Sequence, residues 1–154
     1  MFVFAASACS VSSPDDTVAF ARVFDACAPL AISAPSATDS QHASLIAATA
    51  LWAAVGIDGL HETAPAAVTI MFERAAPSAF GYYDDTDSTI HIDDALADPA
   101  SSIVIAHELG HAFGLMHVPA ATRLSVMNPG NLDVAPTGED RRTVATLWTD
   151  CAAR

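Results

Sequence analysis

His107-Glu108-Leu109-Gly110-His111-Ala112-Phe113-Gly114-Leu115-Met116-His117 is the stretch that decides how this chain reads. Ahead of it, Asp98 and Pro99 form an N-cap and N1 pair, and the apolar run Ile103, Val104, Ile105, Ala106 predicts a helix running to Gly114. On that helix His107 and His111 lie four residues apart, so their imidazoles project from one face a turn apart, close enough to grip one ion. Two ligands hold zinc weakly. Gly114 accepts the left-handed conformation that stops a helix, and the returning chain then presents His117 as a third ligand. Three imidazoles leave the fourth tetrahedral position open, which distinguishes a catalytic zinc site from a structural one.

Glu108 points about 100° around the helix from His107, towards the open position. That placement makes it the general base for a zinc-activated water attacking a carbonyl, and the acid that returns the proton to a leaving amine. The product is a hydrolysed amide bond. The competing reading is a helix whose histidines are solvated or satisfied in the core, and the combined spacing of three His, one Glu and one Gly makes it poor.

The pattern resembles the metzincin clan of zinc peptidases, defined by His-Glu-x-x-His-x-x-Gly-x-x-His and a later methionine turn. Ser125-Val126-Met127-Asn128-Pro129 is similar to the Met-turn of the matrixin branch. There Met127 is an apolar floor under the ligands and does not bind metal. The resemblance covers residues 38–148 and implies an α+β fold, a metzincin-like zincin. A mixed sheet with two helices forms its upper lobe, and a small lower lobe carries the C-terminal helix. It also implies one catalytic Zn2+ and a peptide or protein substrate lying extended in the cleft. Residues 79–83 become the edge strand over that cleft, with Gly81, Tyr82 and Tyr83 along it, and residues 129–132, including Pro129 and Asn131, wall a pocket. Val118-Pro119 stands where matrixins usually have Ser, and no Tyr follows Met127 to serve as an astacin-like ligand. No cysteine-switch motif is recognisable.

The rest of the chain agrees with this outline. Thr38 with Gln41 makes a capping box ahead of Leu45, Ala48, Trp52 and Val55 at helical spacing, up to Gly56. Residues 27–33 and 68–72 read as strands, and residues 79–83 with 89–92 as a hairpin. Residues 17–26 are ambiguous between strand and helix. Thr137 with Asp140 caps a last helix whose apolar face is Val144, Leu147 and Trp148. Among the remaining polar groups, Asp84, Asp85, Asp87, Asp93 and Asp94 are either a calcium site or an acidic turn. His91 reads as a strand histidine with a surface partner; His42 and His61 carry no partner pattern.

A formal charge of −12 over 154 residues, with six Arg as the basic side chains, weighs against nucleic acid and anionic membranes as partners. No apolar run reaches the roughly 18 to 20 residues that span a bilayer. Residues 1–16 read as an export-signal remnant or N-terminal extension, with a possible lipid anchor at Cys9, and residues 17–154 as a single catalytic domain. The expected location is therefore secreted or in the cell envelope, as a monomer. Cys27 and Cys151 are candidates for a disulfide closing a long loop, with Cys9 to Cys27 as the competing pairing. Two other functions stay open: a secreted zinc-binding or toxin module in which cleavage is incidental, and a zinc amidase acting on a non-protein substrate.

Overall fold

The computed structural model describes residues 20–74 and 79–148. In chain order the elements are β1 (Leu30–Ser33), α1 (Asp39–Ala53), β2 (Leu60–Glu62), β3 (Val68–Glu73), β4 (Gly81–Asp84), β5 (Thr89–Asp93), α2 (Ala100–Ala112) and α3 (Gly138–Leu147). The strands form one mixed sheet in the order β2-β1-β3-β5-β4, all neighbours parallel except the β4–β5 hairpin. Strand alternation buries Leu30, Ile32, Val68, Ile70, Ile90 and Ile92 in the core that includes α1 and α2. On the opposite face Tyr82 is 50% exposed and stacks on His91, whose Nδ1 lies 2.7 Å from Glu73 Oε1.

α1 begins as its sequence dictates. Thr38 accepts the Gln41 amide, and the Gln41 side chain accepts the Thr38 amide at 2.8 Å. Leu45, Ala48 and Trp52 are buried, and the Trp52 indole donates to the Ala106 carbonyl at 3.0 Å and meets Phe113 edge-on at 5.2 Å. These contacts lock α1 against α2. Every residue of α2 from Ser101 to Ala112 is buried, because the helix lies between the sheet, α1 and the loop that follows it.

Four local readings change. α2 starts at Ala100 with Pro99 at the cap position, one residue later than Asp98 and Pro99 predict; the Asp98 carboxylate nevertheless accepts the Ser102 amide at 3.2 Å. β2 lies in a segment read as loop, since a three-residue strand with two exposed positions carries no alternation to detect. The described part of residues 17–26 is neither strand nor helix. Trp148 follows α3 in extended conformation and donates to the Phe113 carbonyl at 2.9 Å.

Beyond α2 the chain forms a smaller lobe around a buried carboxylate. Asp140 Oδ1 accepts the Ser125 hydroxyl and Arg123 Nη1, while Oδ2 accepts the Val126 amide, the Thr137 amide and the Thr137 hydroxyl. Asn128 closes the loop from inside: its Nδ2 donates to the Val118 and Arg123 carbonyls, and its Oδ1 accepts the Ser125 amide. Met127, 1% exposed, is thereby pressed against α2. A Cβ on Gly110 would stand 2.3 Å from Met127 Sδ.

Two outcomes follow from this packing. Gly110→Ala should destabilise the fold by about 1 to 3 kcal/mol despite alanine's better helix propensity, and Met127→Ala should remove most of that penalty in a double-mutant cycle of denaturation midpoints. Every partner of Asp140 is a donor, so Asp140→Asn turns an amide NH2 against other donors and should cost about 1 to 3 kcal/mol at neutral pH. Burial opposes ionisation of Asp140, but its bonds from Ser125, Arg123 and Thr137 prevail and hold its carboxyl below the ordinary 3.8. The charge therefore stabilises the fold above that value. The difference between wild type and variant should shrink as pH falls through 3.8 towards the folded value, read from urea midpoints measured at pH 7 and pH 3.

Candidate metal centre

α2 delivers His107 and His111 on one side of its last turns, with ring centroids 4.9 Å apart. Gly114 adopts φ +93°, a conformation costly for any side chain with a Cβ, and the chain reverses. His117 returns with its ring 5.2 Å from His107 and 4.8 Å from His111. Its Nε2 is 3.2 Å from the Nε2 of each. Among the described residues these three form the one cluster of His, Cys, Asp or Glu groups placed to share a metal ion.

The protonation pattern suits a cation. His107 Nδ1 lies 2.6 Å from the Val126 carbonyl and His111 Nδ1 lies 2.8 Å from the Leu115 carbonyl. A carbonyl only accepts, so each Nδ1 carries the hydrogen and each Nε2 turns a lone pair inward. Burial, against the Val126 bond and assisted by His117, pulls the His107 pKa down to about 4. Burial and the neighbouring His107 and His117 take His111 down to about 3. Both rings are neutral at pH 7. One proton on His117 satisfies at most one of two facing lone pairs well, whereas a cation satisfies all three. Nitrogens bound tetrahedrally at zinc's usual 2.0 to 2.1 Å lie about 3.3 to 3.4 Å apart, close to the 3.2 Å that separates His117 from each of the other two, and all three lie within 4.8 Å of one another. The residues fit the ion.

Glu108 is 5% exposed. Its Oε2 is buried without a hydrogen-bond partner, and burial, partly offset by a bond from the Tyr83 amide, pushes its pKa up to about 8. With His107 it lines a cleft whose other walls are Ala79, Phe80, Gly81, Val104, Gly130 and Asn131. Gly81 is required there, because a Cβ would sit 2.9 Å from Val104 Cγ1 and 3.2 Å from Glu108 Cγ. The Asp93 amide bonds the Phe80 carbonyl, and by antiparallel alternation Gly81 and Tyr83 turn their amides and carbonyls away from β5, to the free edge.

The residues expected along the cleft separate into different environments. Gly81 and Asn131 line it; the Asn131 side chain also ties Val126 and Val134 together. Tyr82 belongs to the opposite face of the sheet. Tyr83 is buried, and its hydroxyl donates to the Arg22 carbonyl at 2.9 Å. Pro129 is exposed beside Gly130 and does not border the cleft. Three acidic residues near β4 and β5 are turn formers, Asp84 accepting from Thr86, Asp87 from Thr89 and Asp93 from Ala95, while Asp85 accepts from the distant Ala21 amide. Among the described residues they gather into no three-ligand group, so the calcium alternative gives way to the acidic turn. His91 has its surface partner in Glu73, and His42 pairs with Glu62 at 3.1 Å. Cys27 is disulfide-bonded, while Cys9 and Cys151 lie outside the described residues, as does the export-signal reading of residues 1–16.

Sequence reasoning passed over Gly110, Asn128, Phe20 and the hub role of Asp140. A glycine inside a helix is itself a signal of close approach. The others carry no local signal, since their partners are distant in sequence.

No family model and no curated protein matches this chain. Its fold does match solved structures. Two of myroilysin align with TM-scores of 0.60 and 0.59 at 12% identity, covering 82% of this chain and 85% and 82% of theirs. At that identity the likeness establishes the fold alone, a mixed α+β architecture with a five-stranded sheet and three helices; the three-histidine cluster able to hold a metal ion is read from this chain's own geometry.

Proposed function

We propose that this protein is a zinc-dependent endopeptidase. The observation that carries the reading is the convergence of three imidazole nitrogens, two of them neutral by burial, beside a buried glutamate oxygen with no partner. The shared architecture with the metallopeptidase myroilysin supports it. His107, His111 and His117 would hold the ion. Zinc bound there supplies a Lewis acid, which acidifies water to a pKa of roughly 7 and polarises a carbonyl.

Glu108 handles the proton. Its Oε2 takes a proton from the attacking water and passes it to the departing amine nitrogen, so that the hydroxyl ends on the acyl carbon as the C–N bond breaks. Burial alone favours the protonated carboxyl, and the positive charge of an ion held by the three histidines would favour the carboxylate that must be present before the first transfer. Along β4, Gly81 offers its free-edge backbone groups to an extended peptide, a mode of pairing that binds main chain irrespective of sequence. The apolar walls from Phe80 and Val104 receive a side chain beside the scissile bond.

The Met-turn and the all-histidine ligand set support placement near the matrixin branch. The disulfide at Cys27 supports an exported protein working in an oxidising compartment. A purely structural zinc site needs the histidines and has no use for Glu108.

Incubation with a denatured protein substrate tests the reading. Wild type should cleave it, lose activity to a chelator and regain it with zinc. Glu108→Ala should retain one zinc per chain and lose about 10²- to 10⁴-fold in rate. Equal cleavage by Glu108→Ala, or cleavage indifferent to chelation, would falsify the assignment.

A further inference from the structure

The chain ahead of β1 touches the metal centre from a side that the proposed chemistry leaves unused. Phe20 places its ring 5.0 Å from the His111 imidazole, tilted by 52°, and 5.8 Å from the Tyr83 ring, tilted by 59°. The ring is half-buried and packs on the core. The residues after it are fastened to both sides of the site. On the hairpin side, the Ala21 amide donates to Asp85, Arg22 Nη1 donates to Ser88 Oγ at 3.1 Å, and the Arg22 carbonyl accepts the Tyr83 hydroxyl at 2.9 Å. On the helix side, the Phe24 amide donates to the carbonyl of Ala112, the last residue of α2, at 2.8 Å. Residues 20–24 thus form a strap between the β4–β5 turn and the end of the metal helix.

We propose that Phe20 is a positioning residue for the metal centre, its strapped ring walling the outer side of His111 and holding that imidazole towards its two partners. The proposal rests on the zinc reading above. The bond from Nδ1 to the Leu115 carbonyl sets the tautomer and direction of the His111 ring, and rocking about its Cβ–Cγ bond is the motion left to it. A flat apolar group packed against it removes that motion and keeps water away. Phe20 touches neither cleft nor ion, so its effect passes through His111.

Zinc affinity of the full-length chain, measured by competition with a chromophoric chelator, tests this, alongside the visible spectrum of the cobalt(II)-substituted protein and apo-protein unfolding. Phe20→Ala should weaken zinc binding about tenfold and shift the cobalt bands. Phe20→Leu, which restores bulk without a flat ring, should fall between Phe20→Ala and wild type. Thr38→Ala, which removes the distant α1 cap, should lower the unfolding midpoint and leave zinc affinity unchanged. Phe20→Ala binding zinc within twofold of wild type overturns the proposal, and so does an equal loss in Thr38→Ala, which would mark general destabilisation. If Phe20→Ala does not fold, Phe20→Leu decides alone: a cobalt spectrum superimposable on wild type rejects the role. A wild-type chain that binds no zinc sinks the site reading itself, a result distinct from any of these.

Discussion

Two backbone carbonyls set the three-histidine cluster of this protein. By accepting from Nδ1 of His107 and of His111, Val126 and Leu115 decide which nitrogen of each ring keeps its lone pair and where that lone pair points. Neither carbonyl belongs to the helix that carries the histidines. Leu115 lies just past the Gly114 reversal, and Val126 lies in the turn around Met127, so the three-histidine cluster exists only where the chain after α2 has folded back beneath it. The buried Asp140 stands behind that return, because its carboxylate gathers the Ser125 hydroxyl and the Val126 amide. A continuous line of hydrogen bonds therefore runs from the cap of α3, through the turn around Met127, to the His107 ring on α2.

Burial does two opposed things in this helix. It makes α2 a rigid platform, enclosed from Ser101 to Ala112, and it strips water from three groups that prefer it. For the histidines the outcome is neutral rings, the form that binds metal. For Glu108 it is a carboxyl group more comfortable with its proton, and an oxygen for which the protein supplies no donor. Buried polar groups left unsatisfied are uncommon in native folds because each costs on the order of 1 to 3 kcal/mol, so such an oxygen beside a cleft marks a place shaped for use rather than for stability.

The sheet meets this platform edge-on. β4 is the terminal strand, and Gly81 lets it pass so close to α2 that Val104 and Glu108 fill the space a side chain would take. An unpaired strand edge is ordinarily an aggregation hazard. Here the strap of residues 20–24 ties the hairpin back to the end of α2. No helix among the described residues is long and apolar enough to cross a membrane.

Much of this was legible in residue order alone, wherever the physics is local. The Thr38 and Thr137 capping boxes, the reversal at Gly114 and the i, i+4 histidines depend on atoms a few positions apart, and those features stand where the pattern predicts them. Strand alternation likewise predicted β3 and the hairpin, whereas β2 was too short and too polar to announce itself. What only the tertiary structure decided are relations between distant segments: Tyr82 turned to the open face while Gly81 borders the cleft, Asp140 serving as the hub of a lobe besides capping a helix, Met127 seated on Gly110, and Phe20 set against His111 across ninety residues of chain. Spacing can nominate the groups that bind an ion. Their protonation and orientation come from partners brought together by packing, and the linear order does not encode those partners locally.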